Sequence, residues 1–286
     1  MIKQRLAEYV LLTRLDRPIG IYLVLWPTLW ALWIAAEGWP TPLILAVFLL
    51  GTVLMRSAGC AINDFADRKF DPHVSRTEQR PLARGAIKPV EAVAVFVVLS
   101  LIALLLVLQL NTLTILLAIP GAFLAGSYPF MKRITHLPQA YLGMAFGWGI
   151  PMAFAAQTGE VPANAWLFFV ANIFWALAYD TMYAICDRED DLKIGVKSAA
   201  ILMGRFDRLG IGLMQVLTLG LLAAGGLAFA LGWPYWLGLL AAGGFALYQQ
   251  YLIRDRDPML SFRAFLNNHY FGLAVFAGIV LDYGMR

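Results

Sequence analysis

The sequence predicts an all-α polytopic membrane protein, a bundle of nine transmembrane helices with the N-terminus in the cytoplasm. Three observations lead there. The chain is 60% hydrophobic and only 14% charged, and its mean hydropathy of +0.70 lies outside the range of ordinary soluble domains. Its apolar residues fall in long continuous runs, and about 20 such residues cross a ~30 Å hydrocarbon core. Its basic residues gather in alternate connections, which sets an orientation. A transmembrane barrel is not expected, because its strands would read as short alternating segments.

In chain order, the start "MIKQRLAEYVLLTRLDRP" is basic and amphipathic and lacks a small-residue cleavage site. It reads as a cytoplasmic surface helix and not as a removable signal. Apolar segments follow at 18–36, 42–62, 90–109, 112–131, 139–156, 163–186, 209–231, 234–252 and 265–283. With the N-terminus inside, all 22 basic residues are cytoplasmic except Arg56, within the second span, and Arg286, outside. The opposite loops "EGWPTP", "QLNT", "QTGEVPAN" and "LGWPYW" hold no Lys or Arg. The net charge of +4 therefore sits on one face, suited to anionic headgroups or an anionic substrate. Nucleic acid is not an expected partner, since the basic residues are scattered over loops without a recognition element. Cys60 and Cys186 make no disulfide framework and read as small packing residues. Pro27, Pro120 and Pro151 are expected to kink their spans. The whole chain, 1–286, reads as one domain.

Two cytoplasmic loops are too long and polar for simple connectors: 63–89 after the second span and 187–205 after the sixth. Asn63, Asp67 and Asp71 stand at i, i+4 and i+8, so a continued helix would carry them on one face with a drift of only ~40° per step. Asp180, Asp187 and Asp191, at i, i+7 and i+11, share a face in the same way. Asp64, Glu189 and Asp190 point elsewhere and read as solvated charge. One such cluster is matched by ordinary interfacial charge in weak surface bridges. Two arrays on one membrane side point to a shared site, and Asp180, about two turns inside its span, is expensive without a role.

Clustered carboxylates repel and would partly neutralise themselves, which a divalent cation prevents. Oxygen ligands, without Cys or His at suitable spacing, select a hard ion, Mg²⁺ ahead of Ca²⁺ or Mn²⁺. The interleaved Arg68, Arg76, Arg80, Lys132, Arg133, Lys193 and Lys197 suit the remaining charge of a diphosphate. Arg56, seven residues before Asn63, lies on the same helical face.

At these residues the sequence resembles the UbiA family of intramembrane prenyltransferases. Asn63, Asp67 and Asp71 match the family's N-D-x-x-D-x-x-x-D motif, Asp187 and Asp191 its D-x-x-x-D motif, and Tyr128 and Lys132 its Y-x-x-x-K element. The wider strings "NDFADRKFDPHVSRTEQRPLARG" and "DTMYAICDREDDLKIGVKSAAILMG" resemble the 4-hydroxybenzoate polyprenyltransferase branch. The resemblance implies transfer of a polyprenyl group from its diphosphate to 4-hydroxybenzoate, ortho to the hydroxyl, as a step in ubiquinone synthesis. It alone implies a central cavity within the bundle of helices. It also implies a bacterial inner-membrane enzyme surrounded by lipid, with its site on the cytoplasmic side, capped by loops 63–89 and 187–208.

On that resemblance two Mg²⁺ ions are held by Asn63, Asp67, Asp71, Asp180, Asp187 and Asp191. The catalytic set is Asp67, Asp71, Asp187, Asp191, Tyr128 and Lys132. Arg68, Arg80, Arg133, Lys193 and Lys197 bind the diphosphate, and Tyr183 orients a ligand. Arg56 is the expected partner of the benzoate carboxylate, since Arg binds carboxylates bidentately; Arg17 and Arg133 are weaker candidates. Aromatics such as Tyr22, Trp26, Phe65 and Tyr179 suit an allylic cation or prenyl chain, although each alone equally suits packing. The rival class is a cation-coupled transporter, whose acids would lie near the bilayer midplane on broken helices. Within the family, naphthoate, homogentisate, chlorophyllide or haem as acceptor is opposed only by the motif flanks.

Overall fold

Helix boundaries follow the chemistry of the chain closely. In the computed structural model, which describes residues 2–74, 77–195 and 197–286, every regular element is helical. A short α1 (Ile2–Thr13) precedes α2 (Ile19–Ala35) and α3 (Pro42–Asp67). After the first long loop come α4 (Pro89–Val107), α5 (Thr112–Ser127) and a 3₁₀ segment, Tyr128–Arg133. The second half holds α6 (Pro138–Gly147), α7 (Gly149–Thr158), α8 (Ala165–Ile194) and the short α9 (Ala199–Met203). It closes with α10 (Asp207–Ala228), α11 (Trp233–Leu252) and α12 (Pro258–Gly284).

Proline opens α3, α4, α6 and α12, where its missing N–H belongs to a group that has no helical acceptor anyway. The Asn111 side chain accepts from the Thr114 N–H at 2.9 Å, and Asp257 from the Leu260 N–H at 2.8 Å. Both are side-chain caps that satisfy first-turn donors. Gly195, at φ 71, ends α8 in the left-handed conformation that a side chain resists.

Each of the nine predicted apolar segments is helical, and among the described residues six helices are long and apolar enough to cross a membrane. They are Pro42–Asp67, Pro89–Val107, Thr112–Met131, Ala165–Lys193, Ala199–Ala228 and Pro258–Gly284. The segment expected at 139–156 differs in being two helices, α6 and α7, that meet at Trp148. Glycines flank that position, and Pro151 has no N–H to return to the Gly147 carbonyl. Trp148 turns outward there, its indole N–H donating to the Leu117 carbonyl at 2.7 Å.

The bundle is organised around α8, 72% of whose apolar window is buried; for α4 and for the span containing α5 the figure is 11%. Trp30 of α2 and Trp175 of α8 meet with ring centroids 5.4 Å apart, and Phe271 of α12 stacks on Trp175 at 5.4 Å. Their polar atoms are satisfied internally, as the bilayer demands. The Trp30 indole donates to the Gly272 carbonyl at 3.1 Å, and that of Trp175 to Asn268 at 2.9 Å. Gly143 sets the distance between α6 and α8, since a Cβ there would lie 2.8 Å from the Ile173 Cα.

The amphipathic α1 is strapped across the first long loop. Arg5 pairs with Glu91 at 2.5 Å and donates to the Ala86 carbonyl at 2.8 Å, while Glu8 accepts from Arg84 at 2.5 Å.

Candidate active site

The first acidic motif is carried by the end of α3, but not as one uninterrupted face. Asn63 and Asp67 lie on the helix, which ends at Asp67; Asp71 opens a 3₁₀ turn, Asp71–His73. The expectation of a helix continued to Asp71 is corrected by Pro72. A proline disfavours the α conformation in the residue before it, and its ring collides with the carbonyl four residues back. The turn is pinned by the Thr77 hydroxyl, which donates to the Asp71 carbonyl at 2.9 Å.

Asp64 is a second correction. Expected to be solvated, it is 1% exposed and paired with Arg14 at 2.5 Å and Arg80 at 3.2 Å. Arg80 also pairs with Asp71 at 2.8 Å. Asp67 and Asp71 are likewise buried. Burial pushes the Asp71 carboxyl above the usual carboxylate range; Arg80 opposes this, and the charges of Asp64 and Asp67 add to it. Burial works most strongly against the Arg14 charge, but Asp64 together with Cys60, Tyr183 and Asp71 holds the guanidinium above its ordinary value. Neither Arg14 nor Asp64 belongs to the spaced acidic face. The signals for them in the sequence were Asp64's own place as the second letter of the first motif and an arginine just after an amphipathic helix.

The second motif lies wholly on α8, which runs on past the predicted end of its span to Ile194 and carries Asp180, Tyr183, Asp187 and Asp191. All four are half-buried. Glu189 is exposed as expected, and Asp190 pairs with Lys193 at 3.1 Å. Below the motif, α8 is locked to the following segment by Asp207, which is fully buried between Arg188 and Arg256.

The principal neighbours of α3 are α4, α2 and α1, whereas those of α8 are α10, α6 and α12. The interval between the two acid-bearing helices is reached by the 3₁₀ segment 128–133. That segment packs against α3 and α6, and Tyr128 at its start lies against the main apolar core. Among the described residues, the buried Arg56 Nε, Asn63 Oδ1 and Tyr179 hydroxyl have no hydrogen-bond partner. The Arg56 Nη1 lies 2.7 Å from the Cys60 sulfur, and its guanidinium stands over the Phe146 ring at 5.5 Å. Cys60 is thus buried, as expected of a packing residue, but beside an intramembrane cation.

Two of the predicted basic residues lie beside the end of α3. Arg68 donates to the Phe65 carbonyl at 2.7 Å and covers its ring, and Arg133 donates to the Ala66 carbonyl at 2.6 Å. Lys197 approaches the Ile134 carbonyl at 3.4 Å, which brings the second loop to the 3₁₀ segment. Arg17 is paired with its neighbour Asp16 at 3.4 Å. Arg76 and the side chain of Lys132 lie outside the described residues. Among the described residues no three His, Cys, Asp or Glu side chains stand as a ready metal cage. The donor chemistry nonetheless suits a hard cation: the two motifs supply carboxylate and amide oxygens, and among the described residues the buried Asn63 Oδ1 has no donor.

Acidic motifs on α3 and α8, set in a bundle of long apolar helices, define a helical membrane protein. The chain belongs to the UbiA prenyltransferase family, whose model matches residues 24–274. It is an integral membrane protein. It is 60% identical over 282 residues to the 4-hydroxybenzoate octaprenyltransferase of Methylococcus capsulatus, covering 99% of this chain and 97% of that one. Against the enzyme of the same name from Nitrosococcus oceani the identity is 61% over 282 residues, with 99% of each chain covered. Among solved structures, the apo form of a UbiA homolog from Aeropyrum pernix K1 superposes with a TM-score of 0.81 at 25% identity. That match covers 92% of this chain and 97% of the other. A UbiA homolog from Archaeoglobus fulgidus bound to GPP and Mg²⁺ shares the fold, with a TM-score of 0.70 at 18% identity, covering 94% and 99%.

Proposed function

We propose that this protein transfers a polyprenyl group from polyprenyl diphosphate to carbon 3 of 4-hydroxybenzoate, releasing diphosphate, as a step in ubiquinone synthesis. The observation that carries the reading is the pair of acidic motifs, Asn63 and Asp67 with Asp71 at the end of α3 and Asp180, Asp187 and Asp191 on α8, borne by two helices of one bundle. Full-length similarity to 4-hydroxybenzoate octaprenyltransferases supports the choice of acceptor. The site works at the cytoplasmic side of a bacterial inner membrane, in a bundle of nine crossings with a lipid-surrounded central cavity. Loops 63–89 and 187–208 cap it.

Asn63, Asp67, Asp71, Asp180, Asp187 and Asp191 hold Mg²⁺ in this reading. When bound, Mg²⁺ neutralises the diphosphate and makes it a competent leaving group. Arg68, Arg80, Lys132, Arg133, Lys193 and Lys197 bind the remaining anionic oxygens, with Tyr128 and Tyr183 fixing the orientation. Cleavage of the allylic C–O bond leaves a carbocation. The ring carbon ortho to the phenolic hydroxyl attacks it, forming the C–C bond, and loss of the ring proton restores aromaticity. Arg56 receives the carboxylate, since its buried Nε is a charged donor with no acceptor among the described residues. Apolar and aromatic walls exclude water, which would otherwise quench the cation.

The test is a product assay on purified protein with Mg²⁺, polyprenyl diphosphates of several lengths and a panel of aromatic acids. A 3-prenylated 4-hydroxybenzoate and stoichiometric diphosphate are expected. Asp67→Ala and Asp187→Ala are expected to abolish turnover while eluting as folded protein on size exclusion. Prenylation of a naphthoate but not of 4-hydroxybenzoate would replace the acceptor. Full activity in either variant would remove the metal-site assignment.

A further inference from the structure

Arg80 has an unusual position in the first motif. Its Nη1 alone serves two carboxylates, Asp71 at 2.8 Å and Asp64 at 3.2 Å. The same Asp64 oxygen accepts from Arg14 at 2.5 Å. Asp64 and Asp71, which share this guanidinium, are both buried, as is Asp67 between them in the chain. Arg14 reaches Asp64 from a left-handed backbone, φ 55, at the end of α1. A side chain disfavours that conformation, so the contact is one the surrounding structure holds in place.

We infer that Arg80 is a displaceable counter-ion: it neutralises Asp71 until a divalent cation takes that carboxylate, and then turns to the diphosphate while Asp64 retains it. The inference rests on the metal-site reading above and deepens it. A guanidinium hydrogen-bonded to Asp71 and a cation coordinated by Asp71 compete for the same oxygen lone pairs. Leaving Asp71 would ordinarily strand a buried charge, which is strongly unfavourable. Here Asp64 already holds Arg80 on its other side, so the exchange costs one partner and not both. Asp64 follows Asn63 directly, so on a helix it is rotated by ~100° from the Asn63–Asp67 face. It is placed to anchor Arg80 and not to join the metal ligands, and Arg14 keeps it there.

The experiment is Mn²⁺ titration of metal-free, full-length protein in detergent, read from the electron-paramagnetic-resonance signal of unbound Mn²⁺. Removing a positive charge at this range shifts an ionic equilibrium by about one order of magnitude, so Arg80→Gln is expected to bind Mn²⁺ about tenfold tighter than wild type. Its affinity should also gain less when inorganic pyrophosphate is added. Equal or weaker Mn²⁺ binding by Arg80→Gln overturns the counter-ion role and leaves the metal site standing. Wild-type protein that binds no Mn²⁺ removes the metal-site reading itself, and the counter-ion role with it.

A second measurement needs no variant. Phenylglyoxal labelling of Arg80 in wild-type protein, mapped by peptide mass spectrometry, should rise severalfold when Mn²⁺ is added and fall again with Mn²⁺ plus inorganic pyrophosphate. Labelling that ignores Mn²⁺ overturns the proposal even if Arg80→Gln fails to fold.

Discussion

Asp64 and Asp67 are three residues apart on one helix and both buried, yet only Asp67 belongs to the regularly spaced acidic face. Spacing assigns residues to faces, but it says nothing of what covers each face. Asp64 was therefore legible as lying off the Asn63–Asp67 face, and illegible as a buried ion pair with Arg14 and Arg80. Arg56 was legible for the opposite reason. A lone arginine in an apolar span, seven residues before Asn63, already implied an anionic partner. Its surroundings are now specific: Gly20 lies so close that any Cβ there would strike the guanidinium. Arg56→Ala is expected to raise the KM for the aromatic acid by roughly tenfold or more, the worth of one charged hydrogen bond, with the KM for the diphosphate little changed. Steady-state kinetics with each substrate varied will check this. An effect confined to the diphosphate would move Arg56 to that subsite.

At the scale of elements, the two motif-bearing helices are each tied down by a buried aspartate between two arginines. Asp64 lies between Arg14 and Arg80, and Asp207 between Arg188 and Arg256. In each case one arginine has a left-handed backbone: Arg14 at φ 55 and Arg256 at φ 57. Asp207→Ala would leave two half-buried guanidiniums facing each other. Breaking a buried pair from one side costs about 3–5 kcal/mol, so a clear fall in Tm is expected in detergent-solubilised protein. An unchanged Tm would show that the clasp adds nothing to the folded state. The ends of these helices were only partly legible. A hydropathy boundary placed the sixth span's end at 186, whereas α8 continues through "DREDDLKI" until Gly195 stops it. Hydropathy reports where the lipid ends; hydrogen bonding decides where the helix ends. For α3 the stop was written in the chain, as the proline after Asp71.

For the whole molecule, the proposed arrangement of nine crossings with an inside N-terminus would place the C-terminus outside. Fusion of a topology reporter after Arg286 is expected to give an outside signal, and reporters within 63–89 and 187–205 an inside one. An inside signal at the C-terminus would remove the nine-crossing arrangement.

The sequence by itself determined the all-helical membrane class, the positions of the apolar helices, and two acidic motifs with their spaced faces. These follow from local sums of hydropathy and from helical periodicity, which need no knowledge of neighbours. Only the tertiary structure decided which helix is central, where the 139–156 segment breaks, and which arginine holds which aspartate. The most apolar span, α4, lies at the rim, and the less apolar α8 at the centre. Lipid tails are as apolar as a protein interior, so hydropathy cannot sort helices between the two. The sorting falls to small residues such as Gly143, to satisfied indoles such as Trp175, and to ion pairs between residues as far apart as Arg14 and Asp64.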